Sequence, residues 1–155
     1  MTDEKISYLT QGAVIATVYI VLTLLLAPIS YGAIQVRIAE ALTILPYFTP
    51  AAIPGLFIGC IIANLNSPLG LIDIIFGSVA TLIAALITYR IKDKRLVPLP
   101  SIISNAIIIP FVLKQVLGIP YFINMAWVGI GQIIACYGLG YPLLIFIEKN
   151  IGQRL

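Results

Sequence analysis

The sequence predicts an all-α integral membrane protein, a single domain of six transmembrane helices, two of them short. Three observations carry that reading. Mean hydropathy is +1.09, only 10% of the 155 residues are charged, and the charges leave uncharged stretches over 6–36, 41–72, 74–89, 96–113 and 115–147. An ordinary soluble domain is about 25% charged, so this chain lacks the charge to solvate a globular surface. A helix crossing ~30 Å of hydrocarbon needs ~20 mostly apolar residues. A membrane β-barrel would instead alternate apolar and polar residues in segments of about 10, whereas VYIVLTLLLAPI and SVATLIAALITY are continuously apolar.

The first helix is expected over 9–29, preceded by Lys5 and followed by no small-residue cleavage site, so it reads as retained. Pro46, Pro50, Pro54 and Pro68 cannot all lie in one regular helix. That stretch therefore divides into short helices over 37–48 and 51–65. A long helix follows over 70–89, then the polar turn RIKDKRLVP, a fifth helix over 100–117 and a sixth over 123–148. There is no internal repeat.

Placement of the basic residues orients these helices. Lys5, the group Arg90, Lys92, Lys94 and Arg95, and the pair Lys149 and Arg154 make seven of the nine Lys and Arg. The positive-inside rule puts all three regions, and both termini, in the cytoplasm of a plasma-membrane protein. An even number of crossings must then separate Lys5 from Arg90. Six crossings satisfy this, and four crossings with a re-entrant hairpin are the alternative.

Function classes are narrowed by what is missing. With no histidine, imidazole acid–base chemistry and nearly every zinc site drop out. Cys60 and Cys136 sit in apolar runs with no CxxC spacing and read as buried packing residues. No Walker A motif, GxGxxG or acidic cation cluster is present, and six helices lack the paired inverted halves of a self-sufficient secondary transporter. The expectation is a non-enzymatic binding subunit, without cofactor, metal or nucleic acid, that draws energy from partners. A structural or assembly subunit of another membrane complex is the alternative.

The remaining ionisable residues, Arg37, Glu40, Asp73 and Lys114, all fall in the outer half of the six-helix arrangement. Charges at membrane depth tend to face protein or a watery cavity. Gln35, Asn64, Asn66 and Asn124 join them at the same level, with Gln132 deeper and Trp127 as an aromatic platform. Together they suggest a solute pocket open to the outside. Each has a plainer role available: Arg37 and Glu40 as an i, i+3 ion pair, Asp73 facing a helix N-terminus, Lys114 snorkelling, Trp127 as a belt aromatic, Asn64 or Asn66 in a cap or turn. Asn105 falls in the inner half and is assigned to interhelical hydrogen bonding. On helix one, Gly12 with Ala16 and Ala13 with Thr17 place small residues four apart, a face suited to close helix approach, either within the bundle or onto another subunit.

The run IQVRIAEALTILPYFTPAAIPGLFIGCIIANLNSPLGLIDIIFGSVATLIAAL, with IATVYIVLTLL before it, resembles the QueT family of substrate-binding S components of energy-coupling factor (ECF) transporters. The resemblance covers nearly the whole chain. It implies a six-helix bundle that captures queuosine precursors, which are 7-deazaguanine bases, and works with a transmembrane coupling protein and two cytoplasmic ATPases. It also implies rotation within the membrane to release the solute inward. S components commonly carry Ala-x-x-x-Ala on helix one for the coupling protein, and here the matching small pairs are Gly12 with Ala16 and Ala13 with Thr17. For such a solute, one carboxylate can accept both donors of the guanine-type edge. Glu40, with the longer reach, is the expected acceptor ahead of Asp73. Arg37 would orient it or donate to the carbonyl, Gln35, Asn64, Asn124 and Gln132 would complete the rim, and Trp127 would stack on the base.

Overall fold

The computed structural model describes residues 3–31 and 36–151. Seven α-helices lie among them: α1 (Asp3–Leu25), α2 (Ala27–Ser30), α3 (Ala52–Asn64), α4 (Leu71–Arg90), α5 (Leu99–Leu117), α6 (Tyr121–Ile133) and α7 (Tyr141–Ile151). A 3₁₀ segment (Ile38–Tyr47) precedes α3 and a π segment (Ile134–Gly140) joins α6 to α7. Four stretches have the length and apolar composition to cross a membrane: Asp3–Leu25, Leu71–Arg90, Lys94–Leu117 and Tyr121–Ile151. The 3₁₀ segment and α3 are shorter apolar helices, each ~20 Å long at ~2.0 and ~1.5 Å per residue.

Prolines account for most departures from the expected boundaries. Helix one begins at Asp3, with Asp3 and Glu4 in the first turn where they complement the helix dipole. It breaks after Leu25 because Pro28 has no N–H to give and its ring collides with the carbonyl four residues back. The expected α-helix over 37–48 is a ten-residue 3₁₀ helix with Pro46 inside it. A single helix was expected over 123–148. Instead, the backbone widens into the π segment just before Pro142, which cannot donate to the preceding turn.

The 3₁₀ segment is the core of the molecule. Ala39, Glu40, Ala41, Leu42, Thr43, Ile44 and Pro46 are all buried, and α1, α3, α4, α7 and the π segment pack around it. A helix apolar on nearly every side is one enclosed by others. The long helices by contrast bury a narrow stripe: in α1 only Ala16, Tyr19 and Thr23 are buried. Leu25, Leu71 and Phe122 are about three-quarters exposed, a surface suited to hydrocarbon rather than water. With lipid outside there is little hydrophobic drive between helices, so close backbone packing and buried hydrogen bonds hold the bundle.

Closest packing occurs between α1 and α3. A Cβ at Gly55 would stand 2.6 Å from the Gly12 carbonyl, and one at Gly59 3.0 Å from the Ala16 carbonyl. The basic regions meet at one end of the bundle. Lys94 Nζ pairs with Glu148 Oε2 at 2.9 Å, and Ser7 and Thr10 of α1 line one groove with Phe48, Ile147 and Ile151. Asp73, in the first turn of α4, lies at the opposite end from Arg90 in its last turn.

Candidate solute-binding site

At the end away from the basic loops, four segments bring polar groups together. Arg37 precedes the 3₁₀ segment in extended conformation (φ −84°, ψ 93°) and is only 2% exposed. Its Nη2 lies 3.6 Å from Asp73 Oδ2, its Nη1 donates weakly to Cys60 Sγ at 3.8 Å, and its guanidinium carbon sits 5.7 Å from the centroid of the Tyr31 ring. The expected Arg37–Glu40 pairing is therefore replaced by Arg37–Asp73.

Asp73 is fully buried. Its Oδ2 accepts from Ser67 Oγ at 2.6 Å, while Oδ1 has no hydrogen-bond partner among the described residues. Asn64, at the end of α3, donates through Nδ2 to the Asp73 carbonyl at 3.1 Å and leaves Oδ1 unpartnered. Its approach to α4 depends on Gly77, where a Cβ would stand 2.8 Å from Asn64 Nδ2 and 3.2 Å from Asp73 Oδ1. Arg37 Nη2 likewise lacks a hydrogen bond. One cation donor and two acceptors are thus buried and unsatisfied at one site, each a cost of about 1–3 kcal/mol.

Glu40 belongs to a second cluster, deeper in the bundle. Its Oε1 accepts from Tyr19 Oη at 2.6 Å and lies 3.3 Å from Thr81 Oγ1. Its Oε2 accepts from Ser101 Oγ at 2.8 Å and Asn105 Nδ2 at 3.3 Å. Thr81 is midway along α4 and Ser101 opens α5 from the basic end. Glu40 therefore lies level with the middle of α4 rather than at the Asp73 end, and both of its oxygens meet protein donors. Asn105, assigned from the sequence to interhelical hydrogen bonding, is one of those donors.

The other expected site residues divide between these clusters and the surface. Asn124 is buried at the start of α6 and donates to the Ile119 carbonyl at 3.3 Å. Gln132 is buried beside Cys136, whose thiol lies 3.6 Å from Gln132 Oε1 and 3.7 Å from the Glu40 carbonyl, placing Gln132 with the deeper cluster. Trp127 is 45% exposed and shares an outer groove with Phe122, Ile123, Ala126 and Ile130, so it is no platform beneath the buried cluster. Lys114 and Asn66 are exposed. Gln35 lies outside the described residues. On helix one, Gly12 and Ala16 pack against α3 and Ala13 and Thr17 are exposed; all four line a groove of about 400 Å³ with Leu9, Ile58 and Ile62.

Sequence reasoning missed Tyr19, Tyr31, Ser67, Thr81 and Ser101. A signal existed for one: Asp73, Gly77 and Thr81 stand four apart and form one stripe of α4.

The sequence profile of the QueT transporter family matches residues 9–149. The chain belongs to that family. A relative, the queuosine precursor transporter QueT of Lactococcus lactis subsp. cremoris (strain MG1363), is 38% identical over 85 residues. That match spans 54% of this chain and 50% of the relative, about half the length of each. No solved structure matches. Family membership and the long apolar helices make this QueT family member a multi-pass membrane protein.

Proposed function

We propose that the chain is the substrate-binding subunit of an ECF-type importer and captures a 7-deazaguanine queuosine precursor from outside the cell. The observation that carries this reading is the buried, under-bonded set Arg37, Asp73 and Asn64. Its free valences match a guanine-type edge. Asp73 Oδ1 and Asn64 Oδ1 accept from the ring N–H and exocyclic amine, and Arg37 Nη2 donates to the adjacent carbonyl. This assigns the solute to Asp73 rather than Glu40, whose oxygens already accept from Tyr19, Ser101 and Asn105, with the Thr81 hydroxyl 3.3 Å away.

The rest of the reading follows from topology. If the 3₁₀ segment and α3 both cross, six crossings place both termini and the basic regions in the cytoplasm and leave the Arg37–Asp73 end facing outward. With no nucleotide-binding motif in the chain, energy comes from a transmembrane coupling protein and two cytoplasmic ATPases. The coupling protein docks on the α1 groove where Ala13 and Thr17 are exposed, with Gly12 and Ala16, packed against α3, lining the same groove.

A ligand that binds only the folded protein raises its unfolding temperature. Purified protein is therefore titrated with 7-deazaguanine, guanine, hypoxanthine, adenine and a set of vitamins. Stabilisation by 7-deazaguanine, weakened when the exocyclic amine is absent, is expected. Equal indifference to every compound would overturn the assignment.

A further inference from the structure

Glu40 makes no solute contact in this reading, yet its carboxylate has the densest hydrogen bonding among the described residues. Donors from α1, α4 and α5 converge on its carboxylate, it is fully buried, and among the described residues no cation lies within 4.0 Å of it. A carboxyl in an apolar interior is tolerated only when so bonded. The cluster grips the 3₁₀ segment from three sides.

Arg37 hangs from the other end of that grip. The Glu40 amide donates to the Arg37 carbonyl at 2.9 Å, so the two residues are separated by one closed 3₁₀ turn. A second link runs through side chains. Thr81 Oγ1 is 3.3 Å from Glu40 Oε1 and 3.4 Å from Cys60 Sγ, and the same sulfur receives Arg37 Nη1 and Asn64 Nδ2. The direct contacts of the guanidinium are all loose: 3.6 Å to Asp73, 3.8 Å to sulfur and 5.7 Å to the Tyr31 ring centroid. Its position is therefore set by the backbone that carries it.

We infer that Glu40 is the positioning residue of the solute site, clamping the 3₁₀ segment so that Arg37 is presented to the solute. The inference rests on the reading of Arg37, Asp73 and Asn64 as that site. A double-mutant cycle on the purified full chain, with 7-deazaguanine as titrant, tests it. Glu40→Gln retains shape but sets an amide N–H against protein donors, and should weaken binding roughly tenfold, within the range of coupled neighbours. In an Arg37→Lys background the same substitution should cost less than about twofold, because a lysine's flexible stem does not depend on the backbone's placement of a rigid fork.

Thr88→Val, at the basic end, is the control for simple loosening of the fold and should cost the same in both backgrounds. If Glu40→Gln does not fold, Tyr19→Phe and Ser101→Ala each remove one donor and should show the same background dependence at about two- to fivefold. Equal losses in both backgrounds, or no loss with any of the three, would overturn the positioning role. Wild-type affinity in both Arg37→Lys and Asp73→Asn would instead overturn the solute site itself.

Discussion

At the scale of single residues, the molecule separates two carboxylates by what is left over on each. Glu40 is saturated, and Asp73 keeps a buried free oxygen next to a buried, weakly held cation. Gly77 is the residue on which the second arrangement rests. Gly77→Ala places a methyl 2.8 Å from Asn64 Nδ2, so Asn64 must withdraw from the Asp73 carbonyl. Overpacking of this kind costs about 1–3 kcal/mol. The expected outcome is a lowered unfolding temperature together with at least a tenfold loss of 7-deazaguanine affinity, measured by calorimetry. Unchanged affinity would mean that Asn64 and Asp73 keep their geometry without the glycine.

The pairing of Arg37 could not be read from residue spacing. Arg37 and Glu40 are three apart, and in a regular helix that spacing makes an ion pair. Arg37 instead precedes the 3₁₀ segment with extended backbone, and its guanidinium lies 3.6 Å from Asp73 of α4. The polar residues themselves were legible, because a charge in an apolar run stands out whatever the fold. Which of them meet depended on a backbone conformation with no mark in the sequence. Tyr19, Thr81 and Ser101 were passed over for the same reason: a lone hydroxyl in an apolar helix is common, and only the fold brings three of them to one carboxylate.

At the scale of elements, prolines predicted where helices would be interrupted but not how. Pro46 ended the case for a long helix, yet the chain answers with a 3₁₀ rod, and Pro142 is met by a π widening rather than a break. The small residues of helix one show a related division. Gly12 and Ala16 meet Gly55 and Gly59 so closely that a methyl at Gly55 would stand 2.6 Å from a backbone carbonyl and one at Gly59 3.0 Å. Gly59→Leu should therefore separate α1 from α3 and lower thermal stability by several degrees or abolish folding, followed by heating in detergent. Ala13→Leu faces outward and should leave stability and solute binding unchanged. It should also abolish co-purification with the coupling module. Retained co-purification would move the docking surface elsewhere.

At the scale of the whole molecule, charge segregation and fold agree. Basic groups far apart in sequence, Lys5, the loop over 90–95 and Lys149, gather at one end through the Lys94–Glu148 contact and the groove shared by α1 and α7. The buried Arg37–Asp73 pair occupies the other end. A bundle with this polarity should have one orientation in the membrane, and exposed positions at the two ends can report it. Asn66, in the turn before α4, and Lys92, after α4, are both exposed, and the native cysteines Cys60 and Cys136 are both buried. Asn66→Cys and Lys92→Cys can thus be labelled with a membrane-impermeant thiol reagent over a low background. Intact cells should label Asn66→Cys strongly, and Lys92→Cys only after permeabilisation. The reverse pattern would place the solute site on the cytoplasmic face, where capture from outside is impossible, and equal labelling would mean that the basic loops do not set the topology.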